Sequence, residues 1–338
     1  MHSRWPNLLL FFFCFAILLG PAYALFDSYN YDLVANPDIK NYLGLANFEF
    51  DQNPTRKYRV IIPFLAGGIN YVFGPVFSAL APQTFPGPDF SLCLSFLLVN
   101  CAFMALFGML VYRLCKSFGV SSLAAIVGLL SVMTCRWSSY IAGLPLIDSL
   151  YMVVIAMTLL GLKTQNAKLI TAAIFLGPWA KESFIFFAPL IFFFSSIPKW
   201  KQAGLFLLSG LIVFTFRYFF DQGTIGSIDL GLKNDFAHVD NINEALKRLF
   251  SFHGVYEIFS IMGVWGLLFM ASVNQRIRES LRENTKSYII FFLVIVFIHA
   301  LLSVELARMF YLATPVLAVF FSIIADRILS MGNFQTIS

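Results

Sequence analysis

"RVIIPFLAGGINYVFGPVFSAL", residues 59–80, decides how the rest of this chain is oriented. The stretch is apolar enough for a bilayer, but it contains Pro63 and the Gly67–Gly68 pair. These residues suit a broken, re-entrant or tilted helix better than a straight span. Irregular backbone survives at membrane depth only where protein covers it. We therefore read 59–80 as a segment that does not make a full crossing. A full crossing would invert the orientation of some later loops.

Outside this stretch the chain is dominated by long apolar runs. Hydrophobic residues make up 59% of its 338 residues and charged residues 12%, with a mean hydropathy of +0.78. Soluble domains lie nearer half apolar and a quarter charged. The expected fold is all-α: one polytopic integral-membrane domain, 1–338, with about 10–11 transmembrane helices. The expected helices are 7–25, 90–112, 121–138, 144–162, 167–180, 184–197, 203–220, 254–273, 287–304 and 309–326. The opening "MHSRWPNLLLFFFCFAILLGPAYA" has the grammar of a cleavable signal peptide. In a polytopic chain it reads as an uncleaved first helix, and the chain after Leu25 starts outside the cytoplasm on either reading.

The basic connections "RLCK", "KTQNAK", "PKWK" and "NQRIRESLRENTK" are cytoplasmic by the positive-inside rule. They fall at every second connection if 59–80 does not cross. The net charge of +5 is then spread over these loops, which argues against nucleic-acid binding. Most acids fall on the outer side, whose longer segments are 26–58 and 221–253. Five cysteines lie in or beside apolar runs with no CxxC or Cys/His cluster, so neither zinc nor a disulfide framework is indicated.

Several polar residues interrupt this apolar background. In the first outer loop Asp38 and Tyr42 lie one turn apart on an expected short surface helix. Asp27, Asp32, Glu49 and Asp51 are close in sequence, and the bland reading is a solvated loop with helix caps. "LPLIDSL" puts Asp148 in the first turn of an apolar helix, as a dipole-favoured cap or as the wall of a polar cavity. In "GPWAKESF" Lys181 and Glu182 break an apolar stretch just after Gly177–Pro178. Two short helices meeting there would let both side chains reach a substrate, and an ordinary turn is the alternative. Glu305 and Arg308 share a helical face and can pair. Arg308 and Arg59 also suit a phosphate, because a guanidinium fork matches its oxygens. In the second outer loop, with Asp229, Asp235, His238 and Asp240, a His238-x-Asp240 metal site lacks a further spaced ligand. A solvated loop leading into an interfacial helix, "NINEALKRLF", fits better.

In their order these residues resemble the integral-membrane GT-C type glycosyltransferases, in particular the bacterial mannosyltransferase-like branch. An apolar first helix precedes Asp-x-x-x-Tyr-x-x-Leu-Ala (Asp38 to Ala46) and Tyr-Arg-Val-x-x-Pro-x-Leu (Tyr58 to Leu65). Gly-Leu-Pro-x-x-Asp (Gly143 to Asp148), Ala-Lys-Glu (Ala180 to Glu182) and Ala-Arg-Met with a later Pro (Ala307 to Pro315) follow. No adjacent acid pair stands in the first loop, where better-known branches carry one.

The resemblance implies an inverting sugar transfer on the extracytoplasmic side of a membrane, such as the bacterial inner membrane. The donor would be a polyprenyl-phosphate sugar and the acceptor a glycan, lipid or protein. Asp38 or Asp32 would be the catalytic acid, here a general base. Tyr42, Arg59, Asp148, Lys181, Glu182, Glu305 and Arg308 would bind substrate. Some branches use a divalent metal and others do not. Topology independently favours a lipid donor: nucleotide sugars stay in the cytoplasm, so an outward-facing site needs a sugar already flipped on a carrier. Two rivals remain at this level, a secondary transporter with broken helices and an O-antigen-type polymerase. No paired halves support the first. The Arg-poor outer loop speaks against the second.

Overall fold

The computed structural model describes residues 5–334, apart from 35, 54–55, 57, 223–240 and 304. The second outer loop with Asp229, Asp235, His238 and Asp240 lies outside the described residues. The described residues form helices and no strands, so the all-α expectation holds. Among the described residues six helices are long and apolar enough to cross a membrane, or up to eight if each sharply bent pair is one span.

The elements follow one another as α1 (Trp5–Ser28), α2 (Pro37–Ala46), α3 (Ile61–Ala79), α4 (Phe90–Lys116), α5 (Ser122–Met133) and α6 (Arg136–Gly143). Next come α7 (Asp148–Thr164), α8 (Ala167–Ala180), a 3-10 segment (Glu182–Phe187), α9 (Ala188–Phe194) and α10 (Lys199–Gln222). After residues 223–240 follow α11 (Asn241–Leu249), α12 (Phe252–Met262) and a 3-10 segment, Gly263–Val273. The chain closes with α13 (Gln275–Asn284), α14 (Ser287–Leu301), α15 (Leu306–Phe310) and α16 (Thr314–Phe334).

Contacts at the helix ends define two poles. At one, the Phe26 ring at the end of α1 meets Phe90 at the start of α4 (centroids 5.5 Å apart). At the other, Ser121 N–H donates to Asp326 (2.8 Å), Gln165 donates to the Phe194 carbonyl (3.2 Å) and Arg327 donates to Ser280 (3.0 Å). The second pole carries the connections with Lys116, Lys163, Lys168, Lys199, Lys201, Arg276, Arg278, Arg282 and Lys286, and we call it the basic pole. Most of the described acids gather at the first, while Glu279, Glu283 and Asp326 lie at the basic pole. This is the alternation that the loop charges predicted. The helix expected over 121–138 is two, α5 and α6, bent by 59°. "NINEALKRLF" does form the short helix α11.

The α3 segment departs from expectation in one respect. It is a single unbroken 19-residue helix, by length and composition one of the six able to cross a membrane. Pro63 stands in its first turn, where the missing N–H had no partner to lose. Gly67 serves packing: a Cβ there would lie 2.3 Å from the Ala46 carbonyl oxygen, so glycine lets α2 rest directly on α3. Both flanks of α3 nevertheless stay at the acidic pole. Phe85, just beyond it, stacks on Phe26 (5.0 Å) and meets Tyr31 (5.4 Å). Six extended residues reach about 20 Å, too little to return from the far end of a helix about 28 Å long that had run to the basic pole.

The core runs along α4, whose Phe96, Cys101, Met104, Phe107 and Val111 are buried against α1, α5, α6 and α7. Cys14, Leu18, Ala22 and Phe26 of α1 are buried with them. By contrast α10 and α12 expose broad apolar faces, including Leu207, Leu211, Phe214, Val255 and Phe259. Such faces suit lipid contact. The passes differ in length. At 1.5 Å per residue α4 is about 40 Å long, whereas α7 and α8 are about 25 and 21 Å, so these two stop short of the acidic pole's outer edge.

Candidate functional site

Where α7 and α8 stop, charged residues from six segments converge. Asp38 and Tyr42 come from α2, one turn apart as expected, with Tyr42 fully buried. The loop after α2 adds Arg56 and Arg59. Asp148 opens α7, Lys181 and Glu182 form the break after α8, Arg217 comes from the last turns of α10, and Glu305 and Arg308 flank the start of α15.

Local sequence explains each placement. Asp148 does not cap α7. It is 4% exposed, and the cap reading gives way to an ion pair. Its turn is held by Asn100, buried in the middle of α4. The Asn100 amide donates to the Leu144 carbonyl (2.9 Å) and the Leu146 carbonyl (3.1 Å), and its oxygen accepts from Ser149 Oγ (2.5 Å). All the hydrogen-bonding atoms of this side chain are thereby used in fixing the turn before Asp148.

The Lys181–Glu182 break has its own cause. Pro178 lies inside α8 and frees the carbonyl four residues back. That carbonyl, of Ile174, accepts instead from Ser209 Oγ on α10 (3.0 Å). The helix continues to Ala180, and the backbone turns extended only at Lys181. Gly177 lets the Phe184 ring fold back over α8, since a Cβ would lie 2.1 Å from it. The chain therefore reverses tightly with both charged side chains facing the cluster.

Arg308 is the hub. It donates through Nη2 and Nε to Asp148 Oδ2 (2.5 and 3.2 Å), and through Nη1 to Asp38 Oδ2 (3.4 Å) and Glu305 Oε2 (2.8 Å). Asp38 pairs through its other oxygen with Arg56. Lys181 Nζ stands 3.5 Å from Asp148 Oδ1 and 5.6 Å from the Tyr151 ring centroid. A second group lies alongside: Glu182 accepts from Arg59 Nε (3.0 Å) and Arg217 Nη2 (3.0 Å), and Arg59 Nη1 donates to Tyr42 Oη (3.1 Å). Arg217 also packs over the Tyr58 ring (4.5 Å), whose hydroxyl donates to Asp221 (2.7 Å).

Burial and pairing set the charge states. Burial pulls the Lys181 ammonium below its usual value, with Asp148 opposing. Burial pulls on Arg59 too, but Glu182 and Tyr42 outweigh it and push the guanidinium up. Burial pushes the Tyr42 phenol up, so it stays protonated. Chemically this is a partly desolvated array of donors beside a carboxylate, able to steady a developing anion while taking a proton.

Of the nine site residues read from sequence, eight meet here. Asp32 instead accepts from Val34 N–H (2.9 Å) while its carbonyl accepts from Asn36 N–H (2.9 Å), in the turn before α2. Arg56, Arg217 and Asn100 belong to the site and were not singled out from sequence. No group of three or more His, Cys, Asp and Glu side chains poised to hold a metal occurs among the described residues. No protein-family model matches the chain, and neither does any curated protein or solved structure.

Proposed function

We propose that the chain is a membrane glycosyltransferase that moves a sugar from a polyprenyl-phosphate carrier to an acceptor on the extracytoplasmic side. The observation that carries this reading is the convergence of Asp38, Tyr42, Arg59, Asp148, Lys181, Glu182, Glu305 and Arg308 in two adjoining ionic groups. It lies at the pole opposite the basic connections. The same residues stand out in the sequence as polar and charged breaks in an apolar background, in segments as far apart as α2 and α15.

In the proposed reaction the acceptor hydroxyl gives its proton to Asp38 as its oxygen bonds to the anomeric carbon. The bond from that carbon to the phosphate oxygen breaks on the opposite face, and its electron pair leaves with the lipid phosphate. Configuration inverts. Arg308, Lys181 and Arg59 steady the growing negative charge. Asp148, with its oxygens turned to Arg308 and Lys181, works by holding those cations rather than by touching sugar. Tyr42 keeps its proton and can donate it to a sugar or acceptor oxygen.

The test is transfer from labelled polyprenyl-phosphate sugars in proteoliposomes, wild type against a folded Asp38→Asn variant. Loss of about two or more orders of magnitude in rate is expected. Full transfer by the variant would move the base to another acid. Absence of transfer from any donor, with a labelled solute crossing instead, would favour a transporter.

A further inference from the structure

Among the described residues nearly all the cationic donors of the site face a carboxylate. Arg56, Arg59, Lys181, Arg217 and Arg308 are set against Asp38, Asp148, Glu182, Glu305 and, through Tyr58, Asp221. Cations paired in this way offer an entering anion little unless one carboxylate gives way. The acids differ greatly in how easily they can. Side-chain exposure is 5% for Asp148, 24% for Asp38 and 27% for Glu182, against 59% for Glu305. Asp148 displaced from Arg308 would stay buried with only the longer contact to Lys181 (3.5 Å), which is costly. A displaced Glu305 swings back into water.

Geometry singles out the same residue. Arg308 Nε and Nη2 are committed to Asp148, and Nη1 reaches Asp38 only at 3.4 Å. Glu305 at 2.8 Å is the close partner of Nη1. It approaches from the exposed side of an otherwise buried guanidinium.

We propose that Glu305 is a stand-in anion, holding Arg308 Nη1 and ceding it to the phosphate of the donor. This rests on the glycosyltransferase reading, which supplies the anionic ligand. Glu305 then sets the affinity for the carrier rather than the chemistry. It keeps Arg308 aligned before the ligand arrives, at the cost of competing with it.

The experiment uses the full chain in nanodiscs and titrates polyprenyl phosphate. Wild type is compared with Glu305→Gln, with Arg308→Gln, and with Glu49→Gln. The last removes the same charge from an exposed loop position away from Arg308. Glu305→Gln should bind about two- to fivefold more tightly, the range an exposed ion pair allows. The gain should shrink at roughly 0.5 M salt. Glu49→Gln should match wild type and Arg308→Gln should lose binding. Equal or weaker binding by Glu305→Gln, with wild-type binding intact, overturns the inference and leaves the functional reading standing. A gain equally large in Glu49→Gln also overturns it, as an effect of overall charge. Failure of wild type and Glu305→Gln alike to bind, with both folded, removes the lipid-phosphate reading and the inference together.

Discussion

Lys181 shows how a single buried charge is tuned. Its ammonium is pulled down by burial and only partly restored by Asp148. In the window between that lowered value and the ordinary 10.5, the unfolded chain binds the proton and the folded chain does not. Stability attributable to Lys181 therefore rises with pH through the window. Unfolding temperatures of wild type relative to Lys181→Met should climb as pH rises towards the ordinary 10.5, and a flat or falling difference would contradict the burial effect. The residues of the site were largely legible because charge is costly in an apolar run and therefore conspicuous. Lys181, Glu182 and Asp148 stood out for that reason. Arg217 did not, since an arginine near a helix end reads as an interfacial anchor. Asn100 did not either, because a lone amide in an apolar helix carries no hint of which distant carbonyls it will meet. Asp32 shared Asp38's sequence neighbourhood but not its place one turn before Tyr42, and it went to the turn.

Among the elements, α2 and α3 show where residue type misled. Gly67 and Pro63 suggested a break, but glycine also permits close approach and proline is harmless in a first turn. Sequence could not distinguish these uses, since the deciding partner, the Ala46 carbonyl, lies across a loop. The contact makes a prediction. Gly67→Ala would force α2 away from α3, with an expected cost of about 1–3 kcal/mol in overpacking, read as a lower unfolding temperature in detergent. Because α2 carries Asp38 and Tyr42, sugar transfer by the folded fraction should fall as well. Unchanged stability and transfer would mean that α2 is not seated through this contact. Pro178 follows the same logic with a better outcome: the reversal at Lys181 was expected, but Ser209, which takes the freed carbonyl, was visible only in three dimensions.

For the whole molecule, the separation of acidic and basic poles was readable because loop charge is written directly in sequence. The depth of the site was not, because it depends on where α7 and α8 stop relative to α4. Those two helices are about 25 and 21 Å long, less than the roughly 30 Å of a hydrocarbon core. The ionic network at their ends therefore sits in a notch below the level reached by α1 and α4. Lipid around that notch must thin, tilt or leave headgroups hanging over it, and each accommodation costs more as acyl chains lengthen. Reconstitution in a series of phosphatidylcholines from 14- to 22-carbon chains should give greatest transfer in the thinner members and a steady decline in the thicker ones. Equal rates across the series would mean that the notch is roofed by protein. If the decline appears, membrane thickness itself becomes a determinant of which membrane this chain can work in.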